Sequence, residues 1–229
     1  MIERVKEAAR PYVLAGLSLR PERIGLTTLA YAQPPSFSQF GEDRFLLRRF
    51  DGRRTGFYVD VGAYHPFHLS NTYLLYRRGW RGINLEPAPD GLARLRQHRP
   101  RDTNLPVAVA TVEQDVPYAL SGTFAGIADE EHLWAGIEAE QITVATQTLA
   151  HVLRDHLPDG QDIDLLDVDC EGHDLDVLRS NDWNRYRPRV ILAEAHSEDA
   201  AADIRTFLAS VGYEERARLD LTMVYEPAR

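Results

Sequence analysis

Residues 56–66 have the sequence GFYVDVGAYHP, and this stretch decides the fold of the chain. Val59 and Val61 belong to a short apolar run that ends at Gly62, which is the pattern of a buried strand turning sharply towards a helix. Ligands of open, mostly parallel α/β sheets bind outside the carboxyl ends of the strands, commonly at the first strand-to-helix turn. The turn at Gly62 is therefore the predicted ligand site.

A second apolar run, residues 82–87 with the sequence GINLEP, ends in the acid Glu86. An acid about twenty residues beyond the glycine turn can accept hydrogen bonds from both ribose hydroxyls of a nucleoside ligand. The glycine turn and the acid together predict an enzyme that uses a nucleoside cofactor.

Strands and helices alternate over most of the chain, which predicts an α/β domain with a mostly parallel sheet and helices on both faces. The expected strands are residues 56–61, 82–87, 105–110, 163–169 and 189–194. The expected helices are residues 44–50, 73–76, 89–98, 149–156, 174–178 and 199–208, and residues 213–217 and 221–225 fit a closing antiparallel hairpin. The 70–72 stretch, Ser-Asn-Thr, can cap the helix at 73–76, and Gly79 can close it.

Residues 111–147 interrupt this alternation. They contain two predicted strands, 116–120 and 142–145, and a loop at 121–126 that is expected to be mobile. Insertions near strand ends often form a lid or a substrate wall. This segment is therefore expected to select the acceptor.

Composition excludes several classes of protein. The net charge of -9 over 229 residues argues against a nucleic-acid partner, which would call for a basic face. Cys170 is the sole cysteine, so neither an intramolecular disulfide nor a thiolate metal cluster can form, and a reducing compartment fits best. With neither a signal-peptide pattern nor an apolar run of membrane-spanning length, we expect a cytoplasmic protein without a membrane partner.

Residues 1–36 are predicted to be a helical extension and linker, and residues 37–229 the main domain. Ile2, Val5, Ala9 and Val13 recur near helical spacing within residues 1–20. This apolar face needs a partner, which is either the main domain or a second subunit. The second case would give a homodimer.

Five motifs in order carry a family resemblance. They are residues 38–43 (SQFGED), 56–63 (GFYVDVGA), 70–72 (SNT), 79–87 (GWRGINLEP) and 167–174 (DVDCEGHD). From Ser38 to Glu194 the chain resembles the FkbM-type methyltransferases. Residues 63–65 depart from the glycine-rich loop typical of class I methyltransferases, where further glycines often occur, and Cys170 stands where the family usually has a valine.

The resemblance implies a Rossmann-like class I methyltransferase fold, with a mostly parallel seven-stranded sheet and an antiparallel C-terminal hairpin. It also implies S-adenosylmethionine as methyl donor and a hydroxyl on a sugar, glycan or other natural-product small molecule as acceptor. The expected cofactor-binding residues are Gln39, Asp60, Gly62, Tyr64, Asn71, Thr72, Glu86, Pro87, Ala108, Val109 and Asp169.

These residues have expected roles and ordinary alternatives. Gly62 would let the backbone approach the methionine part of the cofactor, and Glu86 would bind the ribose. Asn71 and Thr72 either face the cofactor carboxylate at a helix start or only cap that helix. The pair at 108–109 either lines the adenine slot or belongs to the core.

Transfer of a methyl group to a hydroxyl requires removal of the hydroxyl proton, so a carboxylate or an imidazole must lie within hydrogen-bond reach. Asp169, Glu194 and His196 follow two predicted neighbouring strands and are the expected catalytic residues. The same three side chains can hold a divalent metal such as Mg²⁺, which would lower the pKa of the hydroxyl. A histidine after a strand can also simply cap it or be solvated.

Three other functions compete with this interpretation. An NAD(P)-dependent oxidoreductase would show a fuller G-x-G-x-x-G motif after the first strand. A nucleic-acid methyltransferase is disfavoured by the acidic charge and by the absence of an Asn- or Asp-Pro-Pro-Tyr/Phe motif. A pseudo-enzyme that keeps the cofactor fold for assembly stays open.

Overall fold

The computed structural model describes residues 35–120, 125–128 and 139–229. The predicted N-terminal helix at 1–20 and most of the predicted loop at 121–126 lie outside these residues. The proposed domain boundary after residue 36 therefore stays a prediction.

The described residues form six helices and eleven strands. The helices are α1 (Glu42–Arg49), α2 (Tyr73–Arg77), α3 (Pro89–His98), α4 (Leu149–His156), α5 (Asp174–Arg179) and α6 (Glu198–Ser210). The strands are β1 (Phe57–Val61), β2 (Arg81–Leu85), β3 (Thr103–Leu105), β4 (Ala108–Val109), β5 (Asp115–Leu120), β6 (Gly126–Ile127), β7 (Glu140–Gln147), β8 (Leu165–Val168), β9 (Val190–Glu194), β10 (Tyr213–Leu219) and β11 (Thr222–Pro227). None of the helices among these residues is long and apolar enough to cross a membrane.

Seven strands form the main sheet in the order β10-β11-β9-β8-β1-β2-β3. Its pairs are parallel except those that β11 makes with β9 and β10. The predicted mostly parallel sheet with an antiparallel C-terminal hairpin is confirmed. Because the chain places β2 and β3 on one side of β1 and then β8 and β9 on the other, the strand order reverses at β1.

The main sheet is covered on both faces. All five residues of β1 are buried, and they alternate between two apolar clusters. Val59 and Val61 pack in the cluster that includes α4 and α6, whereas Tyr58 packs in the cluster that includes α1 and α2. A two-residue period against two helical layers explains why β1 and β8 are buried on both faces, although each contains one acid, Asp60 and Asp167.

The insertion builds a second sheet of four strands in the order β4-β7-β5-β6. The prediction of one strand over residues 105–110 is wrong, because β3 ends at Leu105 and β4 pairs with β7 instead. Pro106 separates the two strands, and a proline has no N–H to donate to a ladder. The predicted strand at 142–145 extends at both ends to form β7.

The predicted side-chain cap of α2 is also wrong. Thr72 occupies the N-cap position, but its side chain makes no capping hydrogen bond. The Thr72 hydroxyl instead donates to Asp60 Oδ2 at 2.5 Å. At the other end, Gly79 has φ of +105° and its N–H donates to Tyr76 O at 3.0 Å, as expected of a closing glycine.

Candidate active site

A cavity opens where the strand order reverses. At that edge Val61 of β1 pairs with Leu85 on one side and with Val168 on the other. The cavity holds about 770 Å³ of empty space, including the part open to solvent. It is lined by Gln39, Val61, Gly62, Tyr64, Leu69, Leu85, Glu86, Pro87, Val107, Ala108, Val109, Tyr118, Ala125, Gly126, Ile127, Asp169, Cys170, Glu171 and His173.

The turn at Gly62 forms the floor of the cavity. Its φ is +85°, and its N–H donates to Leu85 O at 3.0 Å, so the turn is tied to the end of β2. A Cβ atom added to Gly62 would lie 1.9 Å from the backbone oxygen of Asp169. No residue with a side chain fits this position unless β1 and the segment after β8 move apart.

Glu86 lies under the turn with its carboxylate almost completely buried. Oε2 accepts a hydrogen bond from Tyr64 N at 2.6 Å, and Oε1 accepts one from Ala88 N at 2.7 Å. Burial raises the pKa of Glu86 to about 7, against the lowering effect of these two hydrogen bonds. Each oxygen keeps a second lone pair, so the carboxylate can still accept from a ligand.

Strained backbone is concentrated around the cavity. Tyr64, Leu69 and Glu171 have φ of +48°, +54° and +51°, and the fourth described non-glycine residue with positive φ, Asp220, lies in the C-terminal hairpin. The first three all line the cavity. Strain of this kind persists only where the surroundings hold it, and it is enriched at functional sites.

Most of the predicted cofactor-binding residues come together at this cavity. Those that line it are Gln39, Gly62, Tyr64, Glu86, Pro87, Ala108, Val109 and Asp169. Asp60, Asn71 and Thr72 are not among the lining residues. The hydroxyl of Thr72 bonds Asp60, and Asn71 Nδ2 donates to Asp167 Oδ1 at 3.2 Å. The roles assigned to all eleven residues stay predictions.

The second sheet supplies an apolar wall, and three of its strands, β5, β6 and β7, belong to the insertion that was expected to form a lid or substrate wall. Tyr118 of β5 and Ile127 of β6 reach the cavity together with Val107. The tyrosine ring is buried in a small cluster with Ala108 and Val144. The pairing of β5 with β6 depends on contacts across the insertion, and no local pattern signals it.

Asp169 and Glu171, which follow β8, form an acidic wall of the cavity, whereas Glu194 and His196 at the end of β9 lie beside this wall and are not among the lining residues. His196 Nε2 lies 3.5 Å from a carboxyl oxygen of Glu171 and 3.5 Å from one of Glu194. The three expected catalytic residues therefore do meet, with Asp169 beside Glu194. Burial, together with the neighbouring Asp169, raises the pKa of Glu194 well above its usual range.

The residues best placed for a metal differ in one member from the predicted set. Glu171, Glu194 and His196 have ligand atoms that all lie within 4.8 Å of one another, and Asp169 is not part of this group. The hydrogen bond to Glu171 raises the pKa of His196. This favours the imidazolium, which neither binds a metal nor accepts a proton until it is deprotonated.

Buried acids at the site predict an unusual dependence of stability on pH. Burial raises the pKa of Glu86 to about 7 and that of Asp174 to about 8. A group whose pKa is higher in the folded state binds more protons there than in the unfolded state. Its stabilising contribution is complete below about pH 4 and is lost as the pH rises through the folded-state value.

The melting temperature of the protein without cofactor is therefore expected to fall by roughly 5 °C or more between pH 6 and pH 9. Calorimetric scans at constant ionic strength measure the melting temperature at each pH. The Asp174→Asn variant is the control and should lose the part of the decline that Asp174 causes, which ends near pH 8. A melting temperature that is flat or rises over this range would contradict the burial of these charges.

Solved structures of methyltransferases resemble the chain only weakly. A TehB-like SAM-dependent methyltransferase from Corynebacterium glutamicum is 13% identical, with 88% of this chain and 94% of that chain covered and a TM-score of 0.42. A putative O-methyltransferase from Klebsiella pneumoniae is 11% identical (99% and 89% covered, TM-score 0.41), and the O-methyltransferase from Bacillus cereus in complex with SAH is 12% identical (98% and 90% covered, TM-score 0.39). At these TM-scores we base no conclusion on the likenesses.

A family model gives the assignment. No curated protein sequence matches the chain significantly. The model of the methyltransferase FkbM domain, in contrast, matches residues 60–215, which is more than half of the chain and includes the Gly62 turn, Glu86 and the acidic wall. This confirms the resemblance carried by the sequence motifs, and the chain belongs to the FkbM methyltransferase domain family.

Proposed function

We propose that the protein transfers a methyl group from S-adenosylmethionine to a hydroxyl of a sugar, glycan or other natural-product small molecule. The observation that carries the proposal is the placement of Gly62 and the Glu86 carboxylate at one cavity, at the edge where the strand order reverses. Nucleoside cofactors bind at such edges.

The residues present fit the proposed cofactor. The turn at Gly62 leaves no room for a side chain, so a ligand can approach its backbone. Glu86 offers a buried carboxylate for two ribose hydroxyls, and Ala108, Val109 and Ile127 offer an apolar surface for a purine. When bound, S-adenosylmethionine supplies an electrophilic methyl carbon on a sulfonium.

The acidic wall favours a neutral, hydroxyl-bearing acceptor. No lysine or arginine is among the described residues that line the cavity, whereas Asp169 and Glu171 are. Carboxylates accept hydrogen bonds from hydroxyl groups and repel phosphates and carboxylates. Asp169 is our proposed general base, because it lines the cavity, whereas Glu194 and His196 are not among the described residues that line it.

A divalent metal stays a prediction, now with Glu171, Glu194 and His196 as its ligands. Two carboxylates and one imidazole suit Mn²⁺, Fe²⁺ or Zn²⁺ better than Mg²⁺, which prefers an all-oxygen shell. All three ligands must be deprotonated to bind a metal, and the raised pKa values of Glu194 and His196 oppose this.

Calorimetric titration of S-adenosylmethionine and S-adenosylhomocysteine into the purified protein tests the proposal. We expect micromolar affinity, roughly -8 kcal/mol, for both. Parallel titrations with Mn²⁺ and with a chelator decide whether a metal contributes. If both nucleosides fail to bind while NAD(P) binds, the protein is an oxidoreductase. Binding without turnover of any acceptor would favour the pseudo-enzyme.

A further inference from the structure

A fully buried arginine lies behind the cavity. Arg99 follows α3, and its side chain is completely shielded from solvent. Burying a guanidinium is costly unless its donors are satisfied. We infer that Arg99 is a positioning residue that holds residues 62–72, here called the cavity loop, in the conformation that binds the cofactor. The inference rests on the proposed function.

The donors of Arg99 converge on the cavity loop. Nε donates to Pro66 O at 2.8 Å, Nη2 donates to Ser70 Oγ at 2.6 Å, and Nη1 donates to Thr72 Oγ1 at 2.7 Å. One planar guanidinium therefore fixes three points within seven residues of chain. A lysine ammonium has three donors on a single atom and cannot span acceptors spaced in this way.

Arg99 also links the cavity loop to β1. Thr72 Oγ1 accepts from Arg99 and donates to Asp60 Oδ2, which itself lies 3.8 Å from Nη1 of Arg99. The rings of Tyr73 and Tyr76 lie 5.7 Å from the guanidinium carbon. The charge is thus balanced by a carboxylate and by two aromatic rings, and the end of the loop is tied to the strand that carries Gly62.

The cavity loop needs such a restraint. Tyr64 and Leu69 both have left-handed φ angles, and both line the cavity. Phe67 and Leu69 are 39% and 37% exposed, so burial of their side chains fixes the loop only in part. The backbone N–H of Tyr64 is one of the two donors that orient Glu86. Release of the loop would therefore disturb both the wall of the cavity and the ribose acid.

The test compares Arg99→Lys with Arg187→Lys. Arg187 also donates from both terminal nitrogens, to Trp183 O and Val211 O, but it does not line the cavity. Two quantities are measured below the melting temperature of each variant: the Kd of S-adenosylhomocysteine, and the rate at which chymotrypsin cleaves after Phe67 without cofactor. We expect Arg99→Lys to raise the Kd roughly tenfold and to accelerate cleavage. Arg187→Lys should change neither.

A milder variant covers the case in which Arg99→Lys does not fold. Ser70→Ala removes one acceptor and leaves the buried charge in place, and it should raise the Kd roughly threefold and accelerate cleavage. If the folded variants bind and resist cleavage like the wild type, the inference is overturned. If the wild type binds no nucleoside, the proposed function fails, and the cleavage rates still decide whether Arg99 holds the loop.

Discussion

Replacing Gly62 with alanine is expected to abolish cofactor binding and to lower the melting temperature by about 10 °C. The left-handed φ of +85° costs an alanine about 1–2 kcal/mol. The added Cβ would also meet the backbone oxygen of Asp169 at 1.9 Å, and neither atom can move without its backbone. Relief requires β1 to move away from the segment after β8, which breaks the hydrogen bond from Asp169 N to Val61 O.

Gly52→Ala is the matched control. Gly52 has φ of +75°, close to that of Gly62, yet an added Cβ would meet nothing within 4 Å. In this variant only the left-handed backbone conformation costs free energy. Its melting temperature should therefore fall by roughly 2–6 °C, and its cofactor affinity should be unchanged. Calorimetric scans and titrations of both variants separate strain from collision. Equal losses of melting temperature and of cofactor affinity in the two variants would contradict the close approach of the Gly62 turn to Asp169.

Local patterns were sufficient for most helices and strands. Helices α3 and α4 match the predicted ranges: α3 begins at Pro89, and α4 follows the N-cap residue Thr148. The main-sheet strands were predicted from apolar runs that end in an acid or a glycine. Since the carboxyl ends of parallel strands share one edge, these runs also predicted that Gly62, Glu86 and Asp169 meet.

The errors arise where a side chain has a distant partner. The position of Thr72 predicts a helix cap, but its hydroxyl instead donates to Asp60 and accepts from Arg99. In the sequence Arg99 is an ordinary basic residue at the end of a helix, and no local pattern indicates that the fold buries it. Glu171 replaces Asp169 in the candidate metal set because the backbone at Glu171 turns left-handed, which no local pattern indicated.

Replacing Glu86 with glutamine is expected to weaken binding of S-adenosylhomocysteine at least roughly hundredfold. The wild-type carboxylate accepts two charge-assisted hydrogen bonds from the ribose, each worth about 1.5–3 kcal/mol. In their place the glutamine amide offers at best one neutral acceptor and one donor. The amide also conflicts with the protein itself, because Tyr64 N and Ala88 N point at the two carboxylate oxygens. Either orientation of the amide sets its NH₂ group against one of these N–H groups.

Asp164→Asn is the control for this loss of internal hydrogen bonding. Asp164 is also a buried acid that accepts from a backbone N–H, that of Phe57, but it lies at the amino end of β1. Its variant should lose stability while binding the cofactor like the wild type. Comparable loss of affinity in both variants would show that Glu86 acts only through folding.

The pH dependence of binding gives a sharper readout for Glu86. Burial and the nearby Asp60 together raise the pKa of its carboxyl to about 7. A ligand that needs the ionised carboxylate must displace the proton, so affinity is lost as the pH falls through 7. Calorimetric titrations should therefore show the wild-type Kd rising roughly tenfold from pH 8 to pH 6. The Kd of Glu86→Gln should stay constant over the same range, because its amide does not titrate. A wild-type Kd that does not change with pH would mean that the cofactor does not bind the Glu86 carboxylate.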